Sequence, residues 1–300
     1  MKRPPIVDRE LGFDRREVPV VDGQRMSVID DGPREAEETV LFHHGNPSWS
    51  FLWRKLIGPT LDRGHRVIAP DMIGLGMSEK PLSPAYHSLE RHVLNLQDMV
   101  ETLDLDDLTL MLHDWGGPIG MGLATRLPDR IERIVIANSL AFAPESERSL
   151  SLWHKLLSNR LGRVLGTRAN LVAESAFRFG VEHELPDAVL DAYRWPLSER
   201  GGRVAAHRLV EMVPEGPGHL SAETLRTIED GYHQLQDVPM LVLWADRDPV
   251  MPAKLAAKWA RAFPQADVRH VSDEAGHFWP EDAPGPFRRA MLEWIDATSP

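Results

Sequence analysis

Four short apolar runs, at residues 39–42, 66–69, 108–112 and 131–137, are separated by stretches with helical spacing. Strands apolar on both faces belong inside a parallel sheet, and parallel neighbours need crossover helices, so this half of the chain reads as a βαβ array. His92, Leu96, Met99 and Leu103 recur at helical spacing, and residues 116–127 are small and apolar, as a helix packed on a sheet requires. A hairpin is expected ahead of them, with residues 18–21 and 25–30 joined at Asp22-Gly23. After residue 141 the pattern changes to helical patches, at 150–165 and 170–179, broken by Pro186, Pro196, Pro214 and Pro217. Buried-strand patterns return at 239–244 and 268–271, and a closing helix is expected at 286–295. The expected class is α/β, a mostly parallel eight-stranded sheet flanked by helices. Its core is formed by residues 1–141 and 236–300 around an inserted helical cap at 142–235.

An apolar content of 42% over 300 residues is enough to bury such a core. The net charge of −11 provides no basic footprint for nucleic acid and disfavours an anionic membrane surface, so a small neutral substrate is the expected partner. Without cysteine there is no thiolate nucleophile, disulfide framework or cysteine-based zinc site. Residues 1–10 lack a signal-peptide apolar region, and no stretch reaches the roughly 18 apolar residues of a membrane span. A cytoplasmic enzyme is therefore expected.

Ligands of open parallel sheets sit beyond the carboxyl ends of the strands. Four of those ends carry His43-His44-Gly45-Asn46-Pro47, His113-Asp114-Trp115-Gly116-Gly117, Ala245-Asp246-Arg247-Asp248-Pro249 and Glu274-Ala275-Gly276-His277-Phe278. Asp114 lies at a strand-to-helix elbow, where the helix N-terminus favours its negative charge. A serine attacking saturated carbon would form an ether that water cannot reopen, whereas a carboxylate forms an ester that it can. The plainer reading of Asp114, as a helix N-cap, leaves the other three loops unexplained.

His277 is the expected general base and Asp248, four residues before Pro252, its acidic partner, with Asp246 as the alternative acid. The loop at residues 138–142 holds no carboxylate and is not expected to supply the acid. His113 should point away from Asp114 along an extended chain. Asn46 and Trp115 each offer a side-chain N–H to a departing anion, and their backbone N–H groups suit an oxyanion. Phe142, Trp153, Phe177, Phe179 and Trp195 are candidates for an apolar pocket lining, although aromatic residues at helical spacing more often build ordinary core.

With Arg66-Val67-Ile68-Ala69-Pro70-Asp71-Met72-Ile73-Gly74-Leu75-Gly76-Met77-Ser78, these motifs resemble those of the haloalkane dehalogenases of the α/β-hydrolase superfamily. The likeness is to the subfamily that combines an Asp-His-Asp triad with an Asn-Trp halide pair. It implies alkylation of Asp114, water activation by His277 with Asp248, and halide held by Asn46 and Trp115. It implies a small apolar halogenated substrate, and neither a metal nor an organic cofactor. β-Lactone-processing enzymes of olefin biosynthesis resemble the chain in nearly all of these motifs. Epoxide hydrolases share the Asp-Trp elbow but use two cap tyrosines, for which Tyr193 and Tyr232 are the available residues. Fluoroacetate dehalogenases typically have arginine where this chain has Trp115. A catalytically dead binding protein would be expected to have lost a triad member.

Overall fold

The computed structural model describes residues 1–147, 152–158 and 160–298, without the side chains of residues 152, 153, 160 and 165. Eight strands form one sheet: β1 (Arg15–Pro19), β2 (Arg25–Asp31), β3 (Thr39–His43), β4 (Arg66–Pro70), β5 (Leu108–His113), β6 (Ile131–Ala137), β7 (Met240–Ala245) and β8 (Asp267–Ser272). Their order is β1-β2-β4-β3-β5-β6-β7-β8. β2 runs antiparallel to β1 and β4, and the pairs from β4 through to β8 are parallel. Every residue of β3, β4, β5 and β7 is buried, which is why these strands read as continuous apolar runs without alternation. β8 closes one edge and is only half-buried.

The helices are α1 (Pro5–Glu10), α2 (Arg54–Leu61), α3 (Leu89–Thr102), α4 (Gly116–Arg126), α5 (Leu152–Ser158), α6 (Arg160–Ala169) and α7 (Leu171–Phe179). They continue with α8 (Asp187–Arg194), α9 (Arg200–Glu211), α10 (Leu220–Asp230), α11 (Ala256–Ala262), α12 (Trp279–Asp282) and α13 (Pro284–Thr298). α3 starts where Ser88 Oγ accepts the Arg91 N–H at 3.1 Å, and its apolar face, with Leu96 and Met99, packs on α4. Among the described residues, the chain from β6 to β7 is helical and contributes no strand. Part of the 150–165 patch, Leu150 included, lies outside the described residues.

β1 lies earlier than the sequence reading places it, and β6, found at the expected residues, holds a charge that reading does not include. β1 runs over Arg15–Pro19, because Asp22 and Gly23 adopt left-handed conformations (φ 59° and 70°) and draw residues 21–23 into a tight turn. β6 carries a fully buried charge: Arg133 pairs with Glu38 and donates to the Thr298 carbonyl at 2.8 Å, which ties the end of α13 to the sheet. A charge buried in this way persists only when paired.

Candidate active site

Asp114 sits directly after β5 with φ 51°, a left-handed conformation that costs a non-glycine residue strain and turns its side chain up from the sheet. Small neighbours make the turn possible. A Cβ on Gly45 would collide with the Asp114 carboxylate, and one on Gly116 would collide with the His43 carbonyl. The Asp114 carbonyl accepts from Ser139 Oγ at 2.5 Å and from the Gly117 N–H at 3.0 Å, which locks the elbow from below.

The two carboxylate oxygens of Asp114 have different partners. Oδ1 accepts the backbone N–H of Asn46 at 2.7 Å, while Oδ2 lies 3.4 Å from His277 Nε2. Burial opposes the Asp114 charge, but the hydrogen bond and charge of His277 outweigh it and hold the pKa below the usual carboxylate range.

His277 Nδ1–H donates to Asp248 Oδ2 at 2.7 Å. The same oxygen accepts from Asn138 Nδ2 at 3.0 Å, and Oδ1 accepts the N–H groups of Val250 and Met251 at 2.7 and 2.8 Å. Burial alone would lower the His277 pKa; the Asp248 charge, then the bonds to Asp114 and Asp248, raise it to about 10. The two flanking carboxylates thus favour the imidazolium form of His277 in the resting site. A raised folded-state pKa stabilises the fold fully below the unfolded value of 6.5, and that stability is lost as pH rises through about 10. The melting temperature should accordingly fall between pH 7 and 10, and more weakly in Asp248→Asn. A calorimetric pH series on both proteins checks this, and equal slopes would contradict it.

Of the two candidate acids, Asp246 points elsewhere and accepts from His270 Nδ1 at 2.5 Å on the surface. The sequence reading does not include Asn138, because after β6 it weighs carboxylates alone. Asn138 was within reach of the same rule, being the first residue past that strand, with φ 44°. Its amide donates to Asp248 and its Oδ1 accepts the Ala245 N–H at 2.9 Å, so it joins the ends of β6 and β7.

His113 makes no hydrogen bond to Asp114 among the described residues, yet it belongs to the site. Its Nε2–H donates to the His277 carbonyl at 2.9 Å and the two rings lie 4.8 Å apart. Burial, then the neighbouring His277, lowers its pKa to about 4, so it is a neutral support. His44 is fixed in a single tautomer, with Nδ1–H donating to the Gly45 carbonyl at 2.8 Å and Nε2 accepting the Met72 N–H at 2.9 Å. That holds the loop carrying Asn46.

Asn46 Nδ2 donates to the Ala206 carbonyl of α9 at 3.0 Å, which uses one of its two hydrogens and orients the other. Trp115 is largely buried, and its indole N–H donates to no group among the described residues. Phe177 stacks on Tyr193 at 4.3 Å and packs on Phe278, next to His277, at 4.8 Å. Phe142 packs on Trp259 at 4.7 Å and Trp195 lies 6.0 Å from Trp49, whereas Phe179 is 63% exposed. The Trp153 side chain lies outside the described structure. Among the described residues no group of three or more His, Asp or Glu is arranged to hold a metal ion.

Residues 38–284 match the α/β-hydrolase fold family. The chain belongs to that family. Within it, this hydrolase is 34% identical over 265 residues to a cis-3-alkyl-4-alkyloxetan-2-one decarboxylase of Shewanella oneidensis, covering 87% of this chain and 82% of the relative. It is 32% identical over 259 residues to haloalkane dehalogenase 1 of Mycobacterium tuberculosis, covering 86% and 84%. The crystal structure of haloalkane dehalogenase DatA from Agrobacterium tumefaciens C58 superposes with a TM-score of 0.82 at 23% identity, covering 95% and 97% of the two chains. The resemblance to haloalkane dehalogenases seen in the motifs thus extends over most of this α/β-hydrolase, and no helix among its described residues is long and apolar enough to cross a membrane.

Proposed function

We propose that this α/β-hydrolase converts haloalkanes to alcohols through a covalent ester on Asp114, with the helices between β6 and β7 as a cap over the site. The observation that carries the reading is the unequal placement of the Asp114 oxygens, Oδ1 bound by the Asn46 N–H and Oδ2 facing His277. Oδ2 attacks the carbon bearing halogen; a C–O bond forms, the C–X bond breaks, and halide leaves with the bonding pair. The Trp115 indole N–H and the second Asn46 amide hydrogen receive the halide. Esterification removes the Asp114 charge, so the pKa of His277 falls and the imidazolium sheds its proton. The neutral imidazole then takes a proton from water attacking Cγ. Charge develops on Oδ1, where the Asn46 N–H already sits. Collapse releases alcohol, and the net reaction consumes water and yields halide and a proton.

Replacing Trp115 by phenylalanine should slow halide release by about 10²- to 10³-fold, as loss of one preorganised donor does elsewhere. Pre-steady-state halide detection with a bromoalkane measures it, and a near-normal rate would count against halide as the leaving group.

A second reading is favoured by the 34% identity to an oxetan-2-one decarboxylase. Attack of Oδ2 on the ring carbon bearing oxygen would open a four-membered lactone and leave a carboxylate in place of halide. Loss of carbon dioxide then returns the C–C electron pair to form an alkene as the Asp114 carboxylate departs, without water. Epoxide opening finds no support, because the Tyr193 hydroxyl donates to Glu281 and the Tyr232 hydroxyl to the Ala141 carbonyl, each at 2.5 Å. A panel of bromoalkanes, a cis-β-lactone and an epoxide, scored for halide, alkene and diol, separates the three.

A further inference from the structure

The net charge of −11 conceals one region of opposite sign. Residues 148–173 include Arg148, Lys155, Arg160, Arg163 and Arg168 and contain no Asp or Glu. α6 lies within this stretch and packs on α5 and α9. Between α6 and α9 are two adjoining open cavities of about 380 and 300 Å³, which share Thr167, Arg168 and Arg200 in their walls. The acid in this cleft, Glu211, is already paired with Arg163 at 2.6 Å and Arg208 at 3.2 Å, and Glu199 lies 3.7 Å from Lys80. Arg203 spends its guanidinium on the carbonyls of Thr167, Leu197 and Ser198. Arg168 and Arg200 are exposed, and their side chains make no ion pair or hydrogen bond among the described residues.

Exposed apolar side chains occur in the same region, Leu82 and Val164 in the cavity wall, Leu161 on α6 and Leu156 on α5. Leu82, Leu156, Leu161 and Val164 are 63%, 52%, 63% and 45% exposed, and they make up half of the large exposed hydrophobic residues among those described. Leu82 and Val164 line the same cavity as Arg163. Exposed Leu161 and Val164 with the unpaired Arg168 on α6, which packs on α5 and α9, are the makings of an interfacial helix, and Leu156 of α5 and Arg200 of α9 extend it. Guanidinium groups suit phosphate, and each cation near an anionic bilayer adds attraction. The acidic remainder of the protein opposes this only within the Debye length, about 8 Å in physiological salt, so the local patch governs the contact.

We propose that the face formed by α5, α6 and α9 docks on an anionic lipid surface. Leu156, Leu161 and Val164 enter the headgroup boundary, and Arg168 and Arg200 take lipid phosphates. This docking stands independently of the reaction proposed above. It places the bilayer on the outer side of α9, opposite the Ala206 carbonyl that holds Asn46.

Sedimentation of the full chain with phosphatidylcholine vesicles, plain or made anionic with phosphatidylglycerol, tests the proposal. Binding to the anionic vesicles should exceed binding to the plain ones by about tenfold or more and decline with salt. The double variants Arg168→Glu/Arg200→Glu and Leu161→Asp/Val164→Asp should each lose about tenfold in partitioning while keeping the wild-type circular dichroism spectrum. Equal binding to both vesicles, or binding to neither as a site for an acidic protein would show, overturns it. So does release by inorganic phosphate beyond that by chloride of equal ionic strength, which would assign the arginines to a free anion.

Discussion

With His277 replaced by phenylalanine, a bromoalkane should yield one equivalent of bromide per active site and then nothing further. The displacement needs only Asp114 and the leaving-group donors, and Asp114 Oδ1 keeps its bond to the Asn46 N–H. Hydrolysis of the ester needs a base, and His277 Nε2, 3.4 Å from Asp114 Oδ2, is the group in position to activate water there. Steady-state turnover should fall by at least about 10³-fold, within the range for removing a catalytic histidine. Mass spectrometry should find the alkyl group on the peptide containing Asp114. Sustained multiple turnover would remove His277 from the mechanism. The same variant separates the two readings, because lactone decarboxylation consumes no water and would continue to turn over.

Asp114→Asn should abolish even the first equivalent of halide. An amide is not a nucleophile toward saturated carbon, so the loss should be on the order of 10⁴- to 10⁶-fold, as when a covalent nucleophile is removed. The substitution preserves shape and keeps an oxygen for the Asn46 N–H. It also removes one of the two anions that raise the His277 pKa, so that pKa should drop below about 10. Imidazole titration by NMR reads this second effect without substrate. Halide release at the wild-type rate, or an unchanged His277 titration, would contradict the assignment.

Much of the sheet was legible because β3, β4, β5 and β7 are buried on both faces, and a buried strand must be written in apolar residues. Arg133 shows the limit of that argument. A buried cation is invisible as such in the sequence, since its counter-charge, Glu38, is 95 positions away. The site loops were legible because parallel topology collects strand ends on one side of the sheet. Most of their partners were not: the spacing to Pro252 pointed to Asp248, but nothing local marked Asn138 or Ala206. Asp246 and Asp248 share one loop, and whether a loop side chain turns inward depends on the turn that β7 makes against β6.

From the sequence alone come the α/β class, the strand ends that carry Asn46, Asp114, Asp248 and His277, and the chemical limits set by a carboxylate at the elbow. Tertiary structure alone decided that Asn138 holds Asp248 and that His113 supports the His277 backbone, and it placed Asp248, the acid expected from its spacing to Pro252, against His277. It also decided that Ala206 on α9 fixes the Asn46 amide. The physical reason is distance along the chain. Periodicity reports which face of an element is buried, whereas these bonds join groups 29 to 164 residues apart, and only the packed sheet and helices bring them to 2.7–3.0 Å.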